Sequence, residues 1–326
     1  MKTRRRGVAS IAAAVLVGAA LAPAAAQADV PDDGIAFTRR METGGADVFV
    51  TRPDGTGTVH VPLSYPVEDF GLPVWSPDGT RLLVSHVLRF DGNGELLPFR
   101  PIIVRPDGSG ETLLEIVDGP FDMFCATWAS NDRLLCAFGG DADGVYTVRA
   151  SDDGRVTRLW GNAPGQRDLP FDLSPDGTRF AFIRFRFGPA PDPQEFRTQQ
   201  VGLFVANIDG TGIRQVVPFG VAQGHELAAA HWSPDGRSII SSTTQGRLFV
   251  VPVDRPRMEP IKLDVGTTRY FAFEPDWSPD GSKIVFAMFV DGHEDIYTAN
   301  RDGSNVTQIT DTPEFENGPD WGPDLP

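Results

Sequence analysis

The sequence lacks the motifs that mark the common enzyme families. It contains no G-x-S-x-G nucleophile elbow, no P-loop, and none of the patterns G-x-G-x-x-G, H-E-x-x-H or C-x-x-C. Those patterns are typical of serine hydrolases, of proteins that bind nucleotide phosphates, of zinc peptidases and of thiol oxidoreductases. The sequence therefore gives no direct support for an enzyme of these classes.

Positive charge is also scarce. The chain has 29 lysines and arginines against 44 aspartates and glutamates, for a formal net charge of −15. Nucleic acids and anionic membranes are bound through cationic contacts to phosphate, so we expect neither as a partner. An acidic surface suits cations, basic partners or neutral glycans, and it also simply keeps a protein in solution.

The one long apolar run lies near the N-terminus. A basic start (Lys2, Arg4 to Arg6) precedes an apolar segment, Ile11 to Leu21, and the sequence Ala26-Gln27-Ala28. This pattern is typical of a secretory signal peptide with its cleavage site, and the apolar segment is short for a membrane span. We therefore predict a signal peptide over residues 1–28, with a membrane anchor as the alternative. The general secretory and twin-arginine routes both stay open.

Cleavage at that site would remove four cations and no acid, which makes the exported chain more acidic still. The prediction is a mature chain, residues 29–326, that is secreted or lies in the periplasm or cell envelope without a membrane span. A monomer is expected.

A repeated unit fills the rest of the sequence, and residues 274–310 are its clearest copy. WSPDG at Trp277 is a tight-turn sequence, because proline presets one corner and glycine accepts a positive φ. Apolar runs flank that turn, and a second turn follows at Arg301-Asp302-Gly303. The unit therefore predicts four short antiparallel strands, a to d, with tight a–b and c–d turns.

Copies of the a–b turn recur at intervals of 44 to 59 residues, at Trp75, Trp128, Leu173, Trp232, Trp277 and Trp321. Four strands in each repeat of this length are typical of a β-propeller. The sequence ends soon after the strand a that leads to Trp321, whereas its first strand, from Ile35, reads as a strand b. These fragments predict an all-β, six-bladed propeller of four-stranded antiparallel blades, closed by one blade shared between the N- and C-termini. The tryptophans are predicted to pack between blades.

Repeated WSPDG, followed by a short apolar strand and then by (D/G)-x-(Y/F)-x-x-(N/R)-x-D-G, resembles the TolB-like propeller repeat. The resemblance covers nearly all of the chain after residue 34, and only the propeller part of that family. It implies the fold, whereas its members serve in translocation, in peptidase gating and in other roles. No α/β domain of the kind that precedes the TolB propeller is expected here.

Cys125 and Cys136 are the only cysteines. They fall on strands a and b of one hairpin, at equal distances from its turn, so we predict that they lie opposite each other. Export would place them in an oxidising compartment, where a disulfide forms. Two buried free thiols are the alternative.

The residue just before each turn anchor occupies one register of the innermost strand and is predicted to face the central channel. These residues are Val74, Thr127, Asp172, His231, Asp276 and Asp320. Asp172, His231, Asp276 and Asp320 are therefore candidate ligands of a divalent cation. The alternative is that the aspartates accept hydrogen bonds from backbone groups at the ends of the strands. No other cofactor is predicted.

The b–c and d–a connections share the end opposite the tight turns. We predict that this loop face and the mouth of the channel bind the partner, because function concentrates on loops. The connections include the b–c segment 187–199 and the d–a segment 161–168. Candidate partner-binding residues on this face are His225, Glu226, Arg269, Tyr270, Phe187, Glu195 and Arg197.

The leading hypothesis is a non-enzymatic binding module for a protein or an envelope glycan. A metal-assisted lyase or hydrolase that acts on a small or glycan ligand in the channel is the alternative. A purely structural extracellular protein is a third reading.

Overall fold

The computed structural model describes most of the chain after the predicted signal peptide. Described are residues 31, 34–42, 44–65, 67, 71–87, 100–114, 123–138, 143–151, 154–187, 198–219, 227–255, 261–262 and 271–323. Within these ranges the regular structure is all strand, and no helix there is long and apolar enough to cross a membrane.

Twenty-four strands form six antiparallel sheets of four strands each. The first twelve are β1 (Ile35–Arg40), β2 (Ala46–Thr51), β3 (Val59–Val61), β4 (Pro73–Trp75), β5 (Leu82–Val87), β6 (Arg100–Val104), β7 (Thr112–Leu113), β8 (Met123–Ser130), β9 (Arg133–Phe138), β10 (Gly144–Arg149), β11 (Val156–Gly161) and β12 (Gln166–Leu173). The others are β13 (Arg179–Phe187), β14 (Thr198–Asn207), β15 (Arg214–Val217), β16 (His231–Trp232), β17 (Ser238–Ser242), β18 (Leu248–Pro252), β19 (Ile261–Lys262), β20 (Phe271–Trp277), β21 (Lys283–Val290), β22 (His293–Asn300), β23 (Thr307–Gln308) and β24 (Glu316–Trp321).

The six sheets are the blades of a propeller, as predicted. Blades 1 to 5 each take four consecutive strands, β4–β7, β8–β11, β12–β15, β16–β19 and β20–β23. Their first strands, β4, β8, β12, β16 and β20, contact one another in that order, and β24 contacts both β20 and β4. The innermost strands therefore form a closed ring.

Blade 6 joins the two ends of the described chain and confirms the predicted closure. Its strand order is β24-β1-β2-β3, and Ile35 pairs with Trp321 in the antiparallel register of β1 and β24. The side chain of Thr38 donates to Asn317 (2.5 Å), and Arg39 Nε donates to Glu316 Oε1 (2.6 Å). Backbone pairing and side-chain contacts together seal the ring.

The hydrophobic core is divided among the six spaces between neighbouring blades. Each buried cluster draws residues from two adjacent blades, which explains why strands b and c are apolar on both faces. Trp75, Trp128, Trp232 and Trp277 each pack toward the preceding blade in one of these clusters, as predicted from their equivalent positions.

Blade 3 has Leu173 where the others have tryptophan, and its interface with blade 2 is built differently. Trp160, from the outer strand of blade 2, stacks on Phe180 with ring centroids 5.7 Å apart. The indole N–H of Trp160 donates to Asp168 (2.8 Å), which also accepts two hydrogen bonds of 2.7 Å from Arg184. An aromatic stack with a buried ion pair thus forms part of the interface between blades 2 and 3.

Two predicted loops are shorter than the sequence indicated. The sequence predicts a loop over residues 161–168, but residues 166–168 belong to β12, in which Gln166 pairs with Arg186. Phe187 was predicted to start the loop 187–199, but it ends β13 and pairs with Thr198. The Asp168–Arg184 ion pair joins β12 to β13 and so supports the longer paired region of blade 3.

Candidate functional site

A cavity of about 620 Å³ lies where the innermost strands meet, at the end of the ring that carries the a–b turns. All six residues of the predicted channel register line it, namely Val74, Thr127, Asp172, His231, Asp276 and Asp320. Its wall and rim are aromatic and proline-rich, formed by Trp75, Trp128, Trp232, Trp277, Trp321, Pro77, Pro175, Pro234, Pro279 and Pro323. The described cavity therefore opens at the end opposite the predicted loop face.

A β-bulge lies just before this register in two of the innermost strands, β12 and β20. The pairing of β12 shifts between Pro170 and Asp172, and that of β20 shifts between Phe273 and Asp276. A bulge adds one residue to a strand and turns the following side chain to the other face. In β20, Asp276 lines the cavity while Trp277 after it packs between the blades.

Each axial aspartate holds the backbone of the next blade. Asp172 accepts from the N–H of Trp232 (2.7 Å), Asp276 from that of Trp321 (2.8 Å), and Asp320 from that of Trp75 (2.7 Å). Bonds from an amide to a carboxylate are stronger than those between neutral groups. The aspartates thus fasten three of the six blade interfaces, which is the structural role that the sequence left as the alternative.

Two of the three blades without an aspartate in this position, those with Val74 and His231, accept a hydrogen bond from the indole of the next blade instead. Trp128 Nε1 donates to the carbonyl of Val74 (3.1 Å), and Trp277 Nε1 donates to that of His231 (3.3 Å). Conversely, the indole nitrogens of Trp75 and Trp232, whose backbones are held by aspartates, are buried without a hydrogen-bond partner. Carboxylate and indole are therefore two alternative fasteners between neighbouring blades.

Burial raises the pKa of every axial carboxyl group. The pKa of Asp172 rises to about 6, chiefly because it is buried, although His231 opposes the rise and the charge of Asp276 adds to it. Burial, followed by the charge of Asp276, holds the pKa of Asp320 well above its usual range. The pKa of Asp276 is raised by burial too. Among the described residues that line the cavity there is no lysine or arginine, and His231 is the one histidine.

Three of the four predicted metal ligands come together. One ligand atom from each of His231, Asp276 and Asp320 lies within 4.8 Å of the other two, and His231 Nδ1 is 3.7 Å from Asp276 Oδ1. Asp172 is not part of this group. Both of its oxygens accept backbone hydrogen bonds, from Leu173 (2.7 Å) and from Trp232 (2.7 Å).

The rim of the cavity is held by side-chain hydrogen bonds within the turns. In each SPDG turn the serine hydroxyl donates to the aspartate two residues later over 2.6–2.7 Å. The degenerate turn of blade 2 keeps this bond between Ser130 and Asp132 (2.6 Å). Such contacts fix the turns without any bound ligand.

Of the seven predicted partner-binding residues, Phe187 alone is among the described residues. His225, Glu226, Arg269, Tyr270, Glu195 and Arg197 fall outside the described residues. Phe187 ends β13 and stacks on Phe185, with ring centroids 6.4 Å apart, and it is not among the residues that line the cavity.

The structure pairs Cys125 with Cys136, with an Sγ–Sγ distance of 2.08 Å. The two residues are directly opposite in the register of β8 and β9, and both are buried in the cluster between blades 1 and 2. This disulfide ties the innermost strand of blade 2 to its neighbour, close to the axis.

Sequence reasoning missed Glu274, which lies in β20 two residues before Asp276. Glu274 has a φ of 47°, a conformation that favours glycine, and Gly318 in β24 has a φ of 60°. The carboxylate of Glu274 accepts a hydrogen bond from the backbone N–H of Gly318 (2.7 Å). The available signal was the alignment of Glu274-Pro275-Asp276 with Gly318-Pro319-Asp320, which places a glutamate where the other blade has glycine.

Glu294 is a second carboxylate in the same blade that the sequence did not single out. Burial raises its pKa to about 7, and the charges of Glu274 and Asp295 add to the rise. A carboxyl group with such a pKa is half protonated near neutral pH, unlike the ordinary glutamates of a surface.

No family model matches the chain. An uncharacterized protein of Agrobacterium fabrum is 27% identical over 284 residues, which span 79% of this chain and 82% of that protein. The Tol-Pal system protein TolB of Anaeromyxobacter dehalogenans is 28% identical over 142 residues, and that of Hydrogenovibrio crunogenus is 33% identical over 95 residues. These two matches span only 32% and 21% of the TolB proteins.

Solved structures share the fold. TolB from Acinetobacter baumannii superposes with a TM-score of 0.65 at 16% identity, over 89% of this chain and 67% of that one. A putative TolB from Agrobacterium tumefaciens gives a TM-score of 0.57 at 18% identity, over 88% and 91% of the two chains.

Proposed function

We propose that this chain, a TolB-like β-propeller, is a non-enzymatic protein-interaction module. The observation that carries the proposal is the axial cavity, whose rim of tryptophans and prolines is held in place by the turns and the blade interfaces. Aromatic side chains are enriched at protein interfaces because they offer rigid apolar area at low entropic cost. The relatives named Tol-Pal system protein are, by that name, components of a protein system, which supports a protein partner over a glycan.

Secretion to the periplasm, the envelope or the medium is part of the proposal. The basic, then apolar, then small-residue order of residues 1–28 supports it. The disulfide between Cys125 and Cys136 supports it as well, because such bonds persist in oxidising compartments. Cell fractionation followed by sequencing of the mature N-terminus tests it. We expect a chain that starts near residue 29, and a full-length chain in the cytoplasm would contradict the proposal.

A matched pair of prolines tests the interaction itself. Pro77 is exposed on the rim of the cavity, whereas Pro106 is in a c–d turn of the same blade and does not line the cavity. We expect Pro77→Trp to block binding of the partner and Pro106→Trp to leave it unchanged. The measurement is native mass spectrometry of the tagged protein purified from its own culture. Equal recovery of the partner by both variants would place the binding surface elsewhere.

A second candidate function follows from the grouping of His231, Asp276 and Asp320. One imidazole and two carboxylates suit a divalent transition metal such as Mn²⁺ or Zn²⁺. A metal held there would supply a Lewis acid to a small or glycan ligand in the cavity. Calorimetric titration with Mn²⁺ alone tests it, with His231→Ala as the variant expected to lose binding. An equal heat of binding in both proteins would reject the site.

A further inference from the structure

The axial cavity contains more negative than positive charge. Among its described lining residues, Asp172, Asp276 and Asp320 are acidic, His231 is the one histidine, and there is no lysine or arginine. Three arginines pack on tryptophans of the cavity wall without lining the cavity themselves. Arg81, Arg179 and Arg301 stack on tryptophan rings at 4.9, 4.8 and 5.1 Å, and none of them is a lining residue.

The carboxylates cannot move apart to relieve this charge. The backbone of the next blade holds one oxygen of Asp276 and one of Asp320, at 2.8 and 2.7 Å. Their positions are therefore fixed by the closed ring itself. Fixed carboxylates attract a cation more strongly than mobile ones on an open surface, because no reorganisation is needed when the cation binds.

The size of the cavity indicates the kind of cation. A volume of about 620 Å³ equals that of roughly 20 water molecules at about 30 Å³ each. A bare metal ion would leave most of this space to solvent, whereas a long side chain with its flanking backbone would occupy it. The apolar stem of lysine or arginine packs well on tryptophan and proline while its charged end stays with polar groups.

We propose that the cavity receives a lysine or arginine side chain from an extended segment of a protein partner, with the cation placed between Asp276 and Asp320. This inference rests on the proposed function and adds the chemistry of the partner. The tryptophan and proline rim contacts the stem of that side chain, and the two carboxylates contact its charged end. Asp172, whose oxygens are both bound to backbone amides, contributes long-range attraction only.

A phage-displayed library of random peptides, selected on the full-length protein, tests the proposal. We expect the selected peptides to share one lysine or arginine, and Pro77→Trp to abolish their binding. Replacing that residue with glutamine, or an arginine with its neutral isostere citrulline, should weaken binding by at least about tenfold, because a desolvated charge pair is lost. Asp320→Asn should weaken binding of the basic peptide but not of its glutamine or citrulline version. Higher ionic strength should also weaken binding of the basic peptide and not of the neutral versions.

The outcomes separate this inference from the function on which it rests. Peptides that bind in the cavity without a basic residue, or that tolerate citrulline, overturn the basic partner and leave the interaction module standing. Peptides whose binding ignores Pro77→Trp overturn both. Binding that requires added Mn²⁺, rather than being displaced by it, also overturns the basic partner, because a metal then occupies the place between the carboxylates. The citrulline comparison changes the peptide alone, so it stays informative even if Asp320→Asn fails to fold.

Discussion

Replacing Asp320 tests whether an axial carboxylate fastens the ring at its closing blade. Asp320 Oδ2 accepts from the backbone N–H of Trp75 (2.7 Å), so it joins blade 6 to blade 1. A hydrogen bond to a charged group contributes about 1.5–3 kcal/mol, and a buried N–H without a partner costs about 1–3 kcal/mol. Against this, Asp320 is buried beside the charges of Asp276 and Asp172, which oppose its ionisation. We expect Asp320→Ala to lower the free energy of unfolding by about 1–2 kcal/mol at neutral pH.

Asp320→Asn separates the hydrogen bond from the charge. The amide oxygen of asparagine still accepts from Trp75, and the repulsion by Asp276 is gone, so this variant should stay within about 1 kcal/mol of the wild type. The pKa of Asp320 is raised in the folded state, so its contribution to stability is fully present below the unfolded pKa and is lost as pH rises through the folded pKa. The wild type should therefore lose stability relative to Asp320→Asn as the pH increases.

Urea unfolding of both variants and the wild type, at acidic, neutral and mildly alkaline pH, measures these differences, with the slope m expected to stay constant. The exposed Asp254, changed to Asn, controls for the loss of one negative charge. The reasoning is refuted if Asp320→Ala unfolds at the wild-type midpoint, or if Asn at this position destabilises as much as Ala. It also fails if the difference between the wild type and Asp320→Asn does not depend on pH.

Three further predictions follow. Deleting residues 316–326 removes β24 and should lower the melting temperature sharply, because β1 loses its pairing partner. An unchanged melting temperature in differential scanning calorimetry would contradict the closure of the ring by blade 6. Changing Cys125 and Cys136 to serine should lower the free energy of unfolding by at most about 3 kcal/mol, measured by urea unfolding against the wild type under oxidising conditions. Equal stability of the two proteins would mean that the disulfide does not restrict the unfolded chain. The carboxyl group of Glu294 should titrate near pH 7 when followed by carbon-detected NMR. Glu274→Gln should lower this pKa, because a neighbouring negative charge is removed. An unchanged pKa of Glu294 in that variant would show that the two groups do not interact.

The fold could be predicted because its signals are local. SPDG and PDG sequences fix tight turns through the geometry of proline, aspartate and glycine, and the spacing of these turns sets the number of blades. The position before each anchor could also be assigned to the axis, since Asp172, Asp276 and Asp320 occur there in equivalent repeats. The facing positions of Cys125 and Cys136 followed from counting along one hairpin.

The chemistry of the site depends on contacts between blades, which one repeat does not encode. Asp172 and Asp320 look equivalent in sequence, yet Asp172 has both oxygens bound to backbone amides while Asp320 joins His231 and Asp276. The two aspartates differ because different residues surround each of them in the closed ring. Glu274 was missed for a similar reason, because its role follows from a bulge and from Gly318 in the next blade.

The shared blade has a consequence for how the chain is made. Ile35 and Trp321 are partners in the structure, yet ribosomes add only about 5–20 residues per second, so tens of seconds separate their synthesis. Throughout that interval β1 has a hydrogen-bonding edge without its final neighbour, and such edges invite pairing with other chains. The edge of Ile35–Arg40 is therefore open to pairing with other chains until the last strand arrives.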